Sequence, residues 1–243
     1  MDDDGWPREV PRPPSEAELW QDDEPLETEP HVTNIFNARD MLRHHFVGRP
    51  DVFVGANMPV YFSDLQVRSR DFRAPDLFAV FGTEPRDRNF WVVWREGGKG
   101  PDWVCEVLSE STEETDRTTK MRIYERVLKV HEYFLHGLDG VLEGYRLGSD
   151  GAYVRIAPET DGRLHSHVLD LLLGLERATI QAHERHWLRF YHLDGTLVPT
   201  AAEAEAQRAE AETQRAEAEA QRADALAREN ERLRAELAAL RGR

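Results

Sequence analysis

The chain has 243 residues, with 46 Asp and Glu against 31 Lys and Arg for a formal net charge of −15, and a single cysteine. Such a length holds one domain of about 150–200 residues plus appendages, and one cysteine excludes an intramolecular disulfide and fits a reducing compartment. The acidic total counts against a tight nonspecific nucleic-acid binder, whose affinity rests on neutralising phosphates with Lys and Arg. Most of the excess lies at one end, however: residues 1–30 carry 11 acidic and 2 basic side chains, net −9, while residues 31–198 carry net −4 and residues 199–243 net −2.

In chain order, residues 1–28 are rich in Pro, Asp and Glu and read as an acidic disordered tail, with Trp6 and Trp20 as candidates for docking on the domain. The start, Met1-Asp2-Asp3-Asp4, lacks the cationic and apolar regions of a secretory signal. No run approaches the roughly 18 apolar residues of a membrane span, so a cytoplasmic protein without a membrane partner is expected. From 31 to 46 the apolar positions Ile35, Phe36, Met41, Leu42 and Phe46 fit a helix that Pro50 stops. Strands are expected at 51–56, 59–62, 76–81, 90–94 and 103–108. Ser111-Thr112-Glu113-Glu114 reads as a capping box opening a helix that carries Lys120 and Tyr124 on one face. Strands at 132–135, 140–147, 153–156, 164–167 and 187–193 complete an α+β domain, a mixed sheet with helices against it.

Thr200-Ala201-Ala202-Glu203 is a second capping box, launching a helix whose text repeats every seven residues through 202–208, 209–215 and 216–222. Placing Leu226, Leu233 and Leu240 at heptad position d puts Ala223, Asn230 and Leu237 at a. The three earlier heptads place Glu205, Glu212 and Glu219 at d. Residues 199–243 therefore read as a weak parallel coiled coil concentrated in its last heptads, with Asn230 setting register, and a homodimer through residues 200–243 is expected. A solvated single helix held by Glu/Arg pairs is the alternative.

The chemistry centres on two acids thirty residues apart. Asp76 follows Pro75 and opens an apolar run, and Glu106 sits inside Trp103-Val104-Cys105-Glu106-Val107-Leu108. Side chains alternate across a strand, so Asp102, Val104, Glu106 and Leu108 share one face and Trp103, Cys105 and Val107 the other. A carboxylate in mid-strand is costly to bury unless hydrogen-bonded, paired or bound to a cation, so Glu106 requires a partner. Cys105, on the opposite face, reads as a small core residue. By themselves, Asp76 reads first as a strand-entry turn residue, Lys120 as a solvated helix lysine lying over Tyr124, Tyr124 as core, and Asp102 as a turn acid or a partner behind Glu106. His44-His45 and the pair His165 and His167 lack the spacing of a structural zinc site. No P-loop, dinucleotide glycine pattern or GxSxG elbow occurs.

One ordered set of motifs goes further: Pro75-Asp76, the acid Glu106 near the end of a Val/Leu-rich strand, Ser109-x-Ser111-Thr112, then Asp116-x-x-x-Lys120-x-x-x-Tyr124, then His131-Glu132-Tyr133-Phe134-Leu135. This order resembles the Uma2 family of restriction-endonuclease-like proteins, within the PD-(D/E)xK nuclease superfamily, over roughly residues 20–198. The resemblance implies a restriction-endonuclease-like mixed sheet flanked by helices over 29–198 and metal-dependent hydrolysis of phosphodiester bonds in DNA. It implies Mg²⁺ or Mn²⁺ bound by Asp76 and Glu106, with the Val107 carbonyl as an added ligand. The superfamily lysine two residues after the second acid is Leu108 here, which points to Lys120 as the catalytic amine. His31, Asp102 and Tyr124 are expected as supporting residues behind these three. The rival is a catalytically inactive nuclease-fold module that binds or regulates a partner through its coiled coil. In a third, the acidic tail mimics DNA and shields the cleft.

Overall fold

The structure is a computed structural model that describes residues 28–63, 72–109 and 111–241; the expected acidic tail, with Trp6 and Trp20, lies outside them. The chain divides between Val198 and Pro199 into two compact units.

The first unit opens with helix α1 (Glu29–His45), which begins two residues before the expected start because Pro30, lacking an amide donor, suits the first turn. Its Ile35, Ala38, Met41 and Leu42 are buried while Phe36 is exposed. The strands follow as β1 (Val52–Ala56), β2 (Val60–Tyr61), β3 (Phe72–Arg73), β4 (Leu77–Phe81), β5 (Trp91–Val92) and β6 (Trp103–Leu108). Next, α-helical turns Glu113–Thr115 and Met121–Ile123 alternate with π-helical turns Asp116–Lys120 and Tyr124–Leu128; this run, 113–128, is α2. The remaining strands are β7 (Glu132–Gly137), β8 (Leu142–Leu147), β9 (Tyr153–Arg155), β10 (Leu164–Ser166), β11 (Leu171–Ile180) and β12 (His183–Tyr191).

A mixed six-stranded sheet, ordered β1-β4-β6-β7-β8-β9, is the frame of an α+β domain. Strands β6 and β7 run parallel, joined through α2, and its other pairs are antiparallel. Two three-stranded sheets, β10-β11-β12 and β3-β2-β5, accompany it. The alternation expected in β6 is realised as two cores. Trp103 and Cys105 pack with Phe134, the α1 residues Met41 and Leu42, and Leu173 and Phe190 of the β10–β12 sheet. Val104, on the other face, packs with Phe53, Phe78, Tyr133, Leu135 and the α2 residue Tyr124. Two buried faces explain why the central strands are almost continuously apolar. They also explain why a charge between them must have partners.

One such charge is Glu132, buried at the start of β7. It accepts bonds from Arg146 Nε at 2.8 Å, Ser166 Oγ at 2.5 Å and the His167 amide at 3.0 Å, tying the central sheet to β10.

Two local expectations give way. Strand β11 has no counterpart in the sequence reading, because Leu171–Ile180 is rich in Leu, contains Gly174 and has β-branched residues only at Thr179 and Ile180. Its hairpin turn to β12 is Gln181-Ala182, with φ of 49° and 66°. That left-handed pair does the work usually given to Asn-Gly, so the sequence carries no turn signal. The Ser111-Thr112-Glu113-Glu114 box also fails, since Thr112 makes no side-chain bond to the helix amides.

The second unit is helix α3 (Ala201–Arg241). Its capping box is realised: the Glu203 amide donates to Thr200 Oγ1 at 3.1 Å, and the Thr200 amide to Glu203 Oε2 at 2.8 Å. Among the described residues no helix is long and apolar enough to cross a membrane.

Candidate active site

Strands β4 and β6 are antiparallel neighbours, with Leu77 opposite Cys105, so Asp76 and Glu106 come next to each other as that ladder ends. There, side chains replace the backbone bonds. The Asp76 amide donates to Glu106 Oε2 at 3.2 Å, and the Val107 amide donates to Asp76 Oδ2 at 2.6 Å. Pro75, with no amide hydrogen, cannot carry the ladder on. The thirty-residue separation thus collapses into a reciprocal clasp between two carboxylates on the edge of a packed core.

Helix α2 supplies the positive charge. Asp116, Lys120 and Tyr124 recur every four residues, and the wider π turns bring such residues closer to one line along the helix than regular α turns do. Lys120 Nζ lies 3.2 Å from Glu106 Oε2 and 2.8 Å from Asp116 Oδ1. Tyr124 Oη donates to Glu106 Oε1 at 2.6 Å, and Tyr133 Oη donates to the Asp116 carbonyl at 3.0 Å. His31, at the start of α1, places Nε2 3.5 Å from Asp76 Oδ2. Glu106 is fully buried and Asp116 nearly so.

Three carboxylates around one ammonium leave an excess of negative charge in a dry place. Burial first, then Asp76 and Asp116, push Glu106 up to about 8 against the pull of Lys120 and Tyr124. Burial likewise raises Asp116, with Lys120 opposing. Burial alone would lower Lys120, but Glu106, Asp116 and Asp76 outweigh it and hold the amine well above the ordinary lysine value. A divalent cation would offset the surplus, and the donor set suits a hard one: Asp76, Glu106 and backbone carbonyls offer only oxygen, and Mg²⁺ takes one or two carboxylates and keeps several waters. Among the described residues no group of three or more His, Cys, Asp and Glu is arranged to hold a metal, so water would complete the shell.

The structure brings Asp76, Glu106, Lys120, Tyr124 and His31 together. Asp102 is the departure. It sits at the opposite end of β6, about 13 Å along the strand from Glu106, where its Oδ2 accepts the Phe81 amide at 2.7 Å and its Oδ1 lies 3.3 Å from His131 Nδ1. Sharing a strand face placed it on the right side but at the wrong end. Asp116 is the residue without a role in the sequence reading; its four-residue spacing from Lys120 was the available signal. A cleft of about 630 Å³ opens where β6 and β7 end, with Leu108, Ser109 and Glu113 on one side and Arg177, Arg185 and His186 of the β11–β12 hairpin on another. Neither Asp76 nor Glu106 lines it.

Comparison with known proteins places the chain in a family. The Uma2 family model, described as "Putative restriction endonuclease", matches residues 16–181, more than half of the chain. The chain belongs to the Uma2 family. A solved structure described as a putative nuclease belonging to DUF820 from Anabaena variabilis ATCC 29413 is similar at 14% identity, covering 60% of this chain and 76% of that chain with a TM-score of 0.44. No curated protein matches. Within this Uma2 chain, the matched region includes every residue of the Asp76–Glu106–Lys120 cluster.

Proposed function

We propose that the Uma2 domain is a cytoplasmic, Mg²⁺- or Mn²⁺-dependent DNA endonuclease that hydrolyses phosphodiester bonds, with Asp76 and Glu106 as metal ligands and Lys120 as the catalytic amine. The observation that carries this reading is the meeting of Asp76, Glu106 and Lys120 at the ends of β4 and β6, in a chain whose family model is described as "Putative restriction endonuclease". The cation, bound by Asp76 and Glu106 with the Val107 carbonyl, would supply Lewis-acid polarisation of the phosphoryl oxygen.

The chain's own residues divide the remaining work. In the metal-free protein Glu106, Asp116 and Asp76 hold the Lys120 amine charged, and in this reading it orients the attacking water and offsets phosphoryl charge. Asp116 fixes the amine from one side while Glu106 fixes it from the other. Tyr124 holds the Glu106 carboxylate in place through Oε1. Arg177, Arg185 and His186 on the neighbouring cleft offer contacts for the phosphate backbone. Pairing of two copies through residues 200–243 belongs to the same reading, since one such site cuts one strand.

A second reading, an inactive nuclease-fold module that binds or regulates a partner, is favoured by one observation: both Glu106 oxygens already accept bonds from within the protein. Cleavage of plasmid and single-stranded DNA with and without Mg²⁺ or Mn²⁺ decides between them. Metal-dependent cleavage that Glu106→Gln abolishes supports the nuclease. A folded wild-type protein that binds neither metal and cuts neither substrate supports the inactive module.

A further inference from the structure

Helix α3 runs 41 residues, about 62 Å at 1.5 Å per residue. Its apolar side chains gather at one end, where Leu226, Leu233, Leu237 and Leu240 are 45–71% exposed. What covers them is written in the flanking charges. With Leu226, Leu233 and Leu240 at d, Glu229 and Glu236 fall at g, and Arg234 and Arg241 at e. In a parallel, in-register pair, each g residue faces the e residue five positions later on the other chain. Glu229 then meets Arg234 of the second copy, and Glu236 meets its Arg241, on both flanks of the seam. An antiparallel pair would set g against g and e against e, Glu against Glu and Arg against Arg.

We infer that residues 223–241 are a parallel, in-register two-stranded zipper whose partner is a second copy of this chain. This deepens the pairing proposed above by fixing its segment, orientation and alignment. Asn230 at a supports the alignment: its Nδ2 donates to the Leu226 carbonyl at 2.9 Å within its own helix, and only an unshifted pair sets Asn against Asn. A shift by one heptad would put it against Ala223 or Leu237. The zipper ends near residue 222. Upstream, Glu205, Glu212 and Glu219 occupy d with Ala at a, so a parallel pair would face glutamate with glutamate along the seam. Residues 201–222 therefore form a spacer of about 33 Å of unpaired helix in each chain, held by its own i,i+4 contacts such as Gln214 Nε2 to Glu210 Oε1.

The test uses the full-length chain. Glu229→Lys with Glu236→Lys, and separately Arg234→Glu with Arg241→Glu, should each weaken self-association roughly tenfold or more by sedimentation equilibrium, because attractive pairs become repulsive on both flanks. Mixing the two variants should restore a dimer. Orientation is read by cysteine: oxidised Leu226→Cys should cross-link to itself, while a mixture of Leu226→Cys and Leu237→Cys, which an antiparallel pair would set face to face, should give no mixed disulfide. Native Cys105 is fully buried and does not compete. A mixed 226–237 disulfide would overturn the parallel arrangement while leaving pairing intact. Dimers indifferent to all four charge changes would place the interface outside this segment. A wild-type monomer at high micromolar concentration would end both the zipper and the pairing it deepens.

Discussion

At Glu106 a single side chain carries the tension of the site. Its carboxyl, raised to about 8 by burial and by Asp76 and Asp116, keeps a proton in the folded protein that the unfolded chain has already released. Stability from this group therefore falls as pH rises from about 4.5 to 8. His136 has the opposite sign, because burial lowers it to about 4 and its contribution is regained between 4 and 6.5 as pH rises. The raised Lys120 acts only above its ordinary 10.5. Between pH 6.5 and 8 the Glu106 effect stands alone of these three, so the melting temperature of metal-free protein should drop across that window, Glu106→Gln should flatten the slope, and Mg²⁺ should restore stability at pH 8. Differential scanning calorimetry in chelator and in Mg²⁺ checks all three. At Lys120, replacement by Ala removes the charge that faces the phosphoryl group while leaving both proposed ligands. Cleavage should fall about 10²-fold or more, with metal affinity measured by calorimetry unchanged or tightened; wild-type cleavage by Lys120→Ala would make the amine an ordinary ion-pair partner.

Among the elements, the β11–β12 hairpin is where local sequence and tertiary demand disagree most. Gln181 and Ala182 both take left-handed backbone angles that cost an L-residue about 1 kcal/mol each. What holds them is the length of the ladder, from Leu172 opposite Tyr191 to Ile180 opposite His183, and a bond at the tip from Thr33 Oγ1 on α1 to Gln181 Oε1 at 3.0 Å. The replacement Gln181→Asn with Ala182→Gly supplies residues that accept these angles. It should raise unfolding stability by about 1 kcal/mol in urea titration, less whatever the exposed Thr33 bond contributes. Helix α2 shows the reverse relation. Its expected capping box is unused, yet Glu106 of β6 engages its Lys120 and Tyr124, and Tyr133 of β7 bonds the Asp116 carbonyl.

On the scale of the whole molecule, the boundary between the two units decides how they can be separated. Val198 is buried in the core with Phe190, whose carbonyl accepts the Val198 amide at 2.9 Å. A cut after Asp194 would strip that residue and the Tyr191–Leu197 bridge. A chain ending at Thr200 keeps both. It should melt within a few degrees of the full-length protein but sediment as a monomer, and on supercoiled plasmid it should nick one strand more readily than it linearises. Gel analysis of the products and sedimentation measure the two halves of that expectation.

The sequence by itself determined the period-2 faces of β6, the unpaired demand of Glu106, the capped C-terminal helix and its heptads, because these follow from spacing along one element. The order of motifs carried the family. Tertiary structure alone decided which carboxylates share a site. Asp102 and Glu106 lie on one strand face, yet strand length separates them, while the antiparallel β4–β6 register brings Asp76, thirty residues away, against Glu106. It alone recruited Asp116, since a helix face has no fixed direction until it packs. The Gln181-Ala182 turn was invisible for a related reason: its strained angles are held by paired strands and not by the residues that adopt them.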